Sequence, residues 1–268
     1  MEYRPHTDPT QQPNPEPPAQ RVRLRKKPLL LVSFGAVLVA VLLLILFQPK
    51  GIRIALDAGH GGDDPGAIGL QRESDLTEVT IGYLEEFLTE DENYYPILCR
   101  EYGRGEGINQ RCARARRQGA KLLLSVHANY SEDADAHGFE CYPAPPNRDI
   151  HEDSLRFAGE IVREISGLGL TIRGAEGIRY AYYDEAGTKL IVEATDPTNY
   201  DYPSFGIVEN SGCPAVLVEQ GFVTNSGDMD AVGTRSGCKL AAARYYRAIC
   251  AYFNTEPVFD ENGRAILK

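Results

Sequence analysis

The chain has 268 residues and a formal net charge of −10, with 28 Lys and Arg against 38 Asp and Glu. This length accommodates one good-sized domain plus additional segments, at about 150 residues per domain. Residues 1–50 carry seven basic and three acidic residues, whereas residues 51–268 carry 21 and 35, a net charge of −14. Such an acidic domain lacks the basic surface that nucleic acid requires, so we exclude nucleic acid as a partner.

The first 50 residues predict a membrane anchor. Residues 1–27 are proline-rich and then basic, which predicts a disordered cytoplasmic tail. Residues 28–47 are uncharged and almost entirely apolar, and a helix of this length spans about 30 Å, the thickness of the hydrocarbon core. The alternative is a cleaved secretion signal, which would have an apolar region of about 7–15 residues followed by a small-residue cleavage site.

The basic run precedes the apolar segment, and positive charge stays on the cytoplasmic side of a membrane. We therefore expect a single-pass protein of the cell membrane. Its N-terminus would be cytoplasmic, and the acidic domain would be extracytoplasmic.

Beyond the anchor, short apolar runs alternate with amphipathic stretches. The runs that predict strands lie at 52–56, 95–99, 121–126, 138–142 and 215–219, with further candidates at 179–183 and 189–192. Helical periodicity occurs at 76–88, 108–118, 149–168 and 237–253. This alternation predicts an α/β fold with a single, mostly parallel or mixed sheet that helices cover on both faces. We place the domain at 51–254 and a C-terminal tail at 255–268.

Polar residues follow three of the predicted strands. His60 lies in the run Leu56-Asp-Ala-Gly-His-Gly-Gly62, His127 follows the strand at 121–126, and Glu219 ends the run at 215–219. Strand ends are where an α/β sheet places its ligand sites. Two imidazoles and one carboxylate fit an open zinc site, and a further glutamate would supply an acid–base group. Glu73 completes this set of four candidates.

Three of the four candidates also have a simpler explanation. The glycine-rich loop around His60 is similar to a phosphate-binding nest, although it lacks the lysine and the serine or threonine of nucleotide-binding loops. His127 alone fits a hydrogen-bonded core histidine, and Glu73 fits a carboxylate at the start of a helix. Glu219 is the strongest candidate, because a carboxylate ending a buried strand is costly unless it is paired or bound to a metal.

The motifs around these residues follow one another as in a known enzyme family. The ordered runs are Asp57-Ala-Gly-His-Gly-Gly62, Asp64-Pro-Gly-Ala-Ile68, Glu73, Arg111, Ser125-Val-His-Ala-Asn129, Gly138-Phe-Glu-Cys-Tyr142 and Leu217-Val-Glu-Gln-Gly-Phe-Val-Thr-Asn225. From about Ile52 to Phe253, the chain thus resembles the zinc-dependent N-acetylmuramoyl-L-alanine amidases. It departs from the family pattern at Ala58, where a proline is usual, and at Ser74, where a lysine is usual.

The resemblance implies an enzyme that hydrolyses the amide bond between N-acetylmuramic acid and L-alanine in peptidoglycan. It implies that His60, Glu73 and His127 bind Zn²⁺ and that Glu219 is the catalytic residue. Asp75 is the alternative to Glu73 as the acidic residue that turns inward.

Two other functions compete with this interpretation. A non-catalytic, membrane-tethered cell-wall-binding or regulatory protein on a degenerate amidase fold would be expected to lack a metal ligand or the acid–base glutamate. A different zinc hydrolase, such as a peptidase, would keep the metal and change the substrate.

We interpret residues 178–213 as a surface excursion, with a lid, a groove wall or an inhibitory element as alternatives. The six cysteines fit either disulfides or buried thiols.

Overall fold

The computed structural model describes residues 37–39, 50–196, 198 and 200–266. Residues 37–39 are helical, whereas the rest of the predicted anchor at 28–47 and the predicted tail at 1–27 lie outside the described residues. Among the described residues, no helix combines the length and the apolar character needed to cross a membrane. The elements that follow all belong to the compact unit Pro49–Lys268.

The described residues form seven strands in two sheets. The strands are β1 (Ile52–Ala58), β2 (Tyr94–Leu98), β3 (Leu122–Asn129), β4 (Glu140–Pro143), β5 (Arg179–Tyr183), β6 (Lys189–Glu193) and β7 (Ala215–Phe222). The central sheet has the order β2-β1-β3-β7-β4, in which β4 runs antiparallel to β7 and the other neighbours are parallel. Strands β5 and β6 form a separate antiparallel hairpin.

The described residues also form six α-helical segments. They are α1 (Glu73–Glu90), α2 (Ile108–Arg117), α3 (His151–Ile165), α4 (Gly206–Glu209), α5 (Ser226–Asp228) and α6 (Arg235–Phe253). Helices α1, α3 and α6 cover one face of the central sheet, and α2 and α4 cover the other, each group over its own apolar cluster. The predicted α/β fold with a mixed sheet covered on both faces is thus confirmed. The hairpin sheet was not predicted as a separate unit.

Side chains alternate across the strands and thereby place the candidate residues. In β7, Val218 joins the apolar cluster beneath α1, α3 and α6, whereas Leu217 joins the cluster beneath α2 and α4. Because the side-chain period of a strand is two, Glu219 lies on the same face as Leu217. His127 of β3 is the register partner of Glu219. Both candidates therefore face the side of the sheet that carries α2 and α4.

The strands that carry these candidates run further than the sequence predicted. Strand β3 continues two residues beyond His127, and β7 continues three residues beyond Glu219. The prediction that both residues end their strands was therefore wrong. The register shifts between His127 and Asn129, and the backbone N–H of Ala128 at this shift donates to the carboxylate of Glu73. Such an irregularity redirects the side chains next to it.

The described residues of the segment 178–213 form a packed element beside the sheet. They contain the β5–β6 hairpin and helix α4. The apolar cluster of the hairpin consists of Tyr180, Tyr182, Val192, Ala194, Tyr200 and Tyr202. An isolated bridge between Cys141 and Ile178 connects the base of the hairpin to β4. The hairpin is therefore fixed to the central sheet through its edge strand.

The residues after α6, which we assigned to a C-terminal tail, return to the domain. Phe259 is buried, with its ring centroid 4.9 Å from that of Phe87 and 5.6 Å from that of Tyr246. A bridge between Phe259 and Ala265 closes this segment into a turn. Phe259 thus extends the core beneath α1 and α6.

All six cysteines are buried and unpaired. Burial raises the pKa of the Cys213 thiol to about 12, and a protonated thiol is a poor nucleophile and metal ligand. Of the two alternatives for the cysteines, the structure shows buried thiols.

Candidate active site

A glycine-rich loop after β1 carries His60 in an unusual backbone conformation. Its φ is +58°, a left-handed conformation that costs a non-glycine residue about 1–2 kcal/mol. Two buried arginines hold the loop: Arg100 Nε donates to the carbonyl oxygen of Ala58 at 2.8 Å, and Arg111 Nη2 donates to that of His60 at 2.5 Å. These contacts maintain the strained backbone and fix the direction of the imidazole.

Glu73 begins helix α1, and its carboxylate is buried and hydrogen-bonded through both oxygens. The backbone N–H of Ala67 donates to Oε2 at 2.8 Å, and that of Ala128 donates to Oε1 at 3.0 Å. Gly66 permits the close packing, because a Cβ atom at this position would lie 2.5 Å from Glu73 Oε2 and 2.5 Å from His60 Cδ2. One carboxylate thus connects the loop after β1, helix α1 and strand β3.

The structure brings three of the four predicted site residues into one cluster. His127 Nδ1 lies 2.8 Å from Glu73 Oε1, and His60 Nε2 lies 3.1 Å from Glu73 Oε2. The nitrogen and oxygen atoms that these residues offer as ligands all lie within 4.8 Å of one another. Two imidazole nitrogens and one carboxylate oxygen are the donor set of open zinc sites, so the residues fit that metal.

The competing acidic residue and the other histidines lie elsewhere. Asp75 turns outward and pairs with Arg72 at 2.9 Å, while Glu73 turns inward. His137 Nδ1 contacts the backbone oxygen of Asp135, and His151 lies in α3. The alternative of Asp75 as the inward-facing acid is therefore wrong.

A further carboxylate orients the first histidine. Asp64 Oδ2 lies 2.8 Å from His60 Nδ1, which leaves Nε2 for the cluster. Metal-binding histidines are commonly held in this way by an outer carboxylate. The hydrogen bond to Glu73 raises the pKa of His60 to about 9, although burial opposes the rise. Burial opposes ionisation of Glu73, but hydrogen bonds with His127 and His60 outweigh it and hold the pKa of Glu73 well below its usual range.

Glu219 lies beside this cluster, directly across from His127 on the neighbouring strand. Burial raises the pKa of Glu219 to about 7, and the negative charge of Glu73 adds to that rise while the positive charge of His127 opposes it. A carboxyl group with a pKa near neutrality can both accept and release a proton at physiological pH. Within the described residues, no side chain or backbone N–H donates to its carboxylate.

Glu140 is the register partner of Glu219 on β4 and is held differently. Asn129 Nδ2 donates to Glu140 Oε1 at 2.5 Å, and Arg179 Nη1 donates to Oε2 at 2.6 Å. A second arginine, Arg173, places its Nε 3.4 Å from the same Oε2 atom. Of the two adjacent glutamates, Glu140 is therefore held by Asn129 and Arg179, and Glu219 remains available for proton transfer.

The four candidates open onto one cleft of about 530 Å³. Its apolar side is formed by residues from α2, from β7, from α4 and the position before it, and from the position after β3. These residues are Ile108, Tyr130, Phe205, Ile207 and Leu217. A cleft of this size with a few convergent polar groups is typical of a small-molecule or peptide site.

Sequence reasoning assigned no role to two residues that support the site. Asp64 belongs to one of the motifs found in the sequence. Its spacing of four residues from His60 could have indicated a contact between the two side chains. Arg100 directly follows the strand predicted at 95–99, lies two residues after β2 and is almost fully buried. A charged residue at the end of an apolar strand was the signal in that case, as it was for Glu219.

The sequence of this chain is similar to those of known amidases and of one uncharacterised protein. The profile of the N-acetylmuramoyl-L-alanine amidase family matches residues 54–251. The uncharacterised protein YqiI of Bacillus subtilis strain 168 is 30% identical over 207 residues, which cover 76% of this chain and 86% of that protein. The sporulation-specific N-acetylmuramoyl-L-alanine amidase of the same strain is 25% identical, over 76% of this chain and 69% of that enzyme.

Solved structures share the fold. The catalytic domain of CwlV, an N-acetylmuramoyl-L-alanine amidase from Paenibacillus polymyxa, superposes with a TM-score of 0.62 at 23% identity, over 76% of this chain and 99% of that one. AmiC2 of Nostoc punctiforme gives 0.62 at 22% identity, over 76% and 99%.

This chain belongs to the N-acetylmuramoyl-L-alanine amidase family. It is an enzyme of that class, and its substrate is peptidoglycan. A non-catalytic relative was expected to lack a metal-binding or acid–base residue. All four candidates are present and adjacent in this chain.

Proposed function

We propose that this amidase is zinc-dependent, that His60, Glu73 and His127 bind the metal, and that Glu219 is the catalytic acid–base residue. The observation that carries the proposal is the convergence of the three ligand-type residues within 4.8 Å, with Glu219 in register beside His127. A zinc ion at such a site polarises a carbonyl group and lowers the pKa of bound water toward about 7.

The residues of the chain have separate tasks in this reaction. Glu219 accepts a proton from the attacking water and then delivers it to the nitrogen of L-alanine as the amide bond breaks. Its pKa of about 7 suits both steps. Asp64 and the backbone donors to Glu73 keep the ligand atoms in place, so that little reorganisation is required on binding.

Metal analysis tests the zinc assignment. The full-length chain, purified in detergent, is expected to hold one zinc per chain, to lose amide hydrolysis with a chelator and to regain it with stoichiometric zinc. His60→Ala and His127→Ala are expected to lose both the metal and the activity. His137→Ala, a histidine outside the cluster, serves as the matched control and keeps both. Full activity of a metal-free chain would contradict the assignment.

We further propose that residues 28–47 anchor the enzyme in the cell membrane, with residues 1–27 in the cytoplasm and the catalytic domain outside. The support is the uncharged, apolar run and the basic residues that precede it. Fractionation of cells expressing the chain should recover it with membranes after a high-salt wash. Protease added to intact spheroplasts should digest the catalytic domain. Recovery of the intact chain in the soluble fraction would contradict anchoring.

A further inference from the structure

The β5–β6 hairpin places a lysine at the edge of the cleft. Lys189 begins β6 and pairs in register with Tyr183 of β5. Its Nζ lies 4.8 Å from the centroid of the Phe205 ring and 5.6 Å from that of Tyr142. Phe205 lines the cleft that contains Glu219. The two aromatic rings therefore hold the ammonium group close to the cleft by cation–π contact.

The positive charge of Lys189 lowers the pKa of Glu219, without a close ion pair between the two groups. Among the described residues it forms no ion pair, and its side chain is exposed. The other cation of the hairpin, Arg179, is paired with Glu140 at 2.6 Å and with Glu193 at 2.8 Å. A cation–π contact satisfies none of the three N–H donors of a lysine as a carboxylate would. Lys189 is therefore available to bind an anion.

The remainder of the cleft presents negative charge to a substrate. Asp64, Glu73 and Glu219 line it, together with Glu106, which is paired with Arg114. Arg111, which also lines it, is already paired with the buried Asp57. The peptide that begins at L-alanine carries carboxylates, at least at its C-terminus. Away from the proposed metal, a carboxylate is repelled by these acidic side chains unless a further cation receives it. The hairpin supplies that cation.

We propose that Lys189 binds a carboxylate in the peptide portion of the substrate, so that the β5–β6 hairpin is a specificity-determining wall of the active site. The inference rests on the proposed function and deepens it, because it names the chemical group that the cleft recognises. Of the roles considered for residues 178–213 from the sequence, this inference corresponds to the groove wall. A hydrogen bond to a charged group contributes about 10-fold or more in affinity.

The test uses two synthetic N-acetylmuramoyl-L-alanyl dipeptides that differ at a single position. The second residue carries either a free carboxylate or a carboxamide. We expect the full-length enzyme to bind and cleave the carboxylate form with a KM about 10-fold lower. Lys189→Met should reduce this ratio toward one, and Lys189→Arg should largely retain it. Lys239→Met is the matched control, because that lysine also stands over aromatic rings but lies outside the cleft.

Binding measured without turnover separates this inference from the proposed function. In a Glu219→Gln background, the dissociation constants of both dipeptides should show the same preference and the same dependence on Lys189. In the enzyme that retains Glu219, an equal effect of Lys189→Met on both dipeptides, seen as a shifted pH profile of kcat, would overturn the inference. That result would mean that Lys189 acts through the charge of Glu219. If the enzyme that retains Glu219 cleaved neither dipeptide while the binding preference remained intact, the proposed function would be overturned instead.

Discussion

His127 and Glu219 are register partners on the parallel strands β3 and β7, and they project from the same face of the central sheet. His127 contacts the buried carboxylate of Glu73 at 2.8 Å. The same pairing therefore places a ligand-type residue and the acid–base candidate side by side. Glu140 continues this row across β4 but is held by Asn129 and Arg179.

Removal of the carboxylate that orients His60 should weaken the metal site without abolishing it. Asp64→Asn replaces the acceptor 2.8 Å from His60 Nδ1. We expect a loss in zinc affinity of about 10–100-fold, as is typical for outer partners of metal-binding histidines. Competition with a fluorescent chelator measures the affinity. Asp63→Asn changes the exposed neighbour and should leave the affinity unchanged; equal affinities in the two variants would contradict the role of Asp64.

A methyl group at Gly66 should separate the proposed metal-binding residues. Gly66→Ala places a Cβ 2.5 Å from Glu73 Oε2 and from His60 Cδ2, at a φ of +65°. We expect the variant to lose zinc and activity while it remains folded. Gly169→Ala has a similar φ of +75° with no neighbouring atom within 4 Å. It should cost about 1–2 kcal/mol of stability from backbone strain alone and retain zinc. Retention of zinc by both variants would show that the crowding at Gly66 is unimportant.

Zinc binding should release a proton from His60. The free protein holds this imidazole with a pKa of about 9, chiefly through its hydrogen bond with Glu73, whereas a metal requires the neutral form. At pH 7 the group is protonated before binding, so at least one proton should leave per zinc. Below pH 9 the apparent affinity should rise about tenfold per pH unit. Calorimetry in buffers of different ionisation enthalpy measures the release; the same affinity at pH 6.5 and pH 8 would contradict it.

Loss of Arg111 should destabilise the fold. Its guanidinium lies 3.0 Å from Asp57 Oδ1, and both side chains are buried. Arg111→Met leaves Asp57 as an uncompensated buried charge, which costs about 3–5 kcal/mol in the free energy of unfolding. Arg114→Met on the same helix breaks the more exposed pair with Glu106, and that pair contributes about 1 kcal/mol or less. Urea denaturation of the zinc-free protein should show this difference; similar midpoints would count against the role of Arg111.

The central sheet was predictable from sequence because its strands are buried on both faces. Runs such as Leu122–Val126 are fully buried and apolar except for Ser125, which is typical of covered parallel strands. The ends of β3 and β7 were less predictable. There the chain remains extended past His127 and Glu219, because contacts with Glu73 and between Asn129 and Val223 maintain the strands. These are tertiary contacts, and no local pattern encodes them.

The candidate site was recognisable because its residues interrupt apolar runs or glycine-rich loops. The sequence did not decide between Glu73 and Asp75, since both lie in the first turn of the same helix. The structure decides through the backbone donors of Ala67 and Ala128, which meet Glu73. Lys189 was not identified, because a lysine at the start of a short strand has no distinctive pattern. Its position depends on how the hairpin packs against Phe205.

We propose that Glu219 transfers the proton at a zinc site that it does not help to form. The most direct test of this proposal is the zinc content and the rate of amide cleavage of Glu219→Gln, with mass spectrometry of the peptidoglycan digest to identify new amino ends at L-alanine. Glu92→Gln, at an exposed position, is the control. We predict one zinc per chain in both variants and a loss of about 10²–10⁴-fold in kcat for Glu219→Gln alone. Near-normal turnover of zinc-loaded Glu219→Gln would contradict the proposed role of Glu219 in proton transfer.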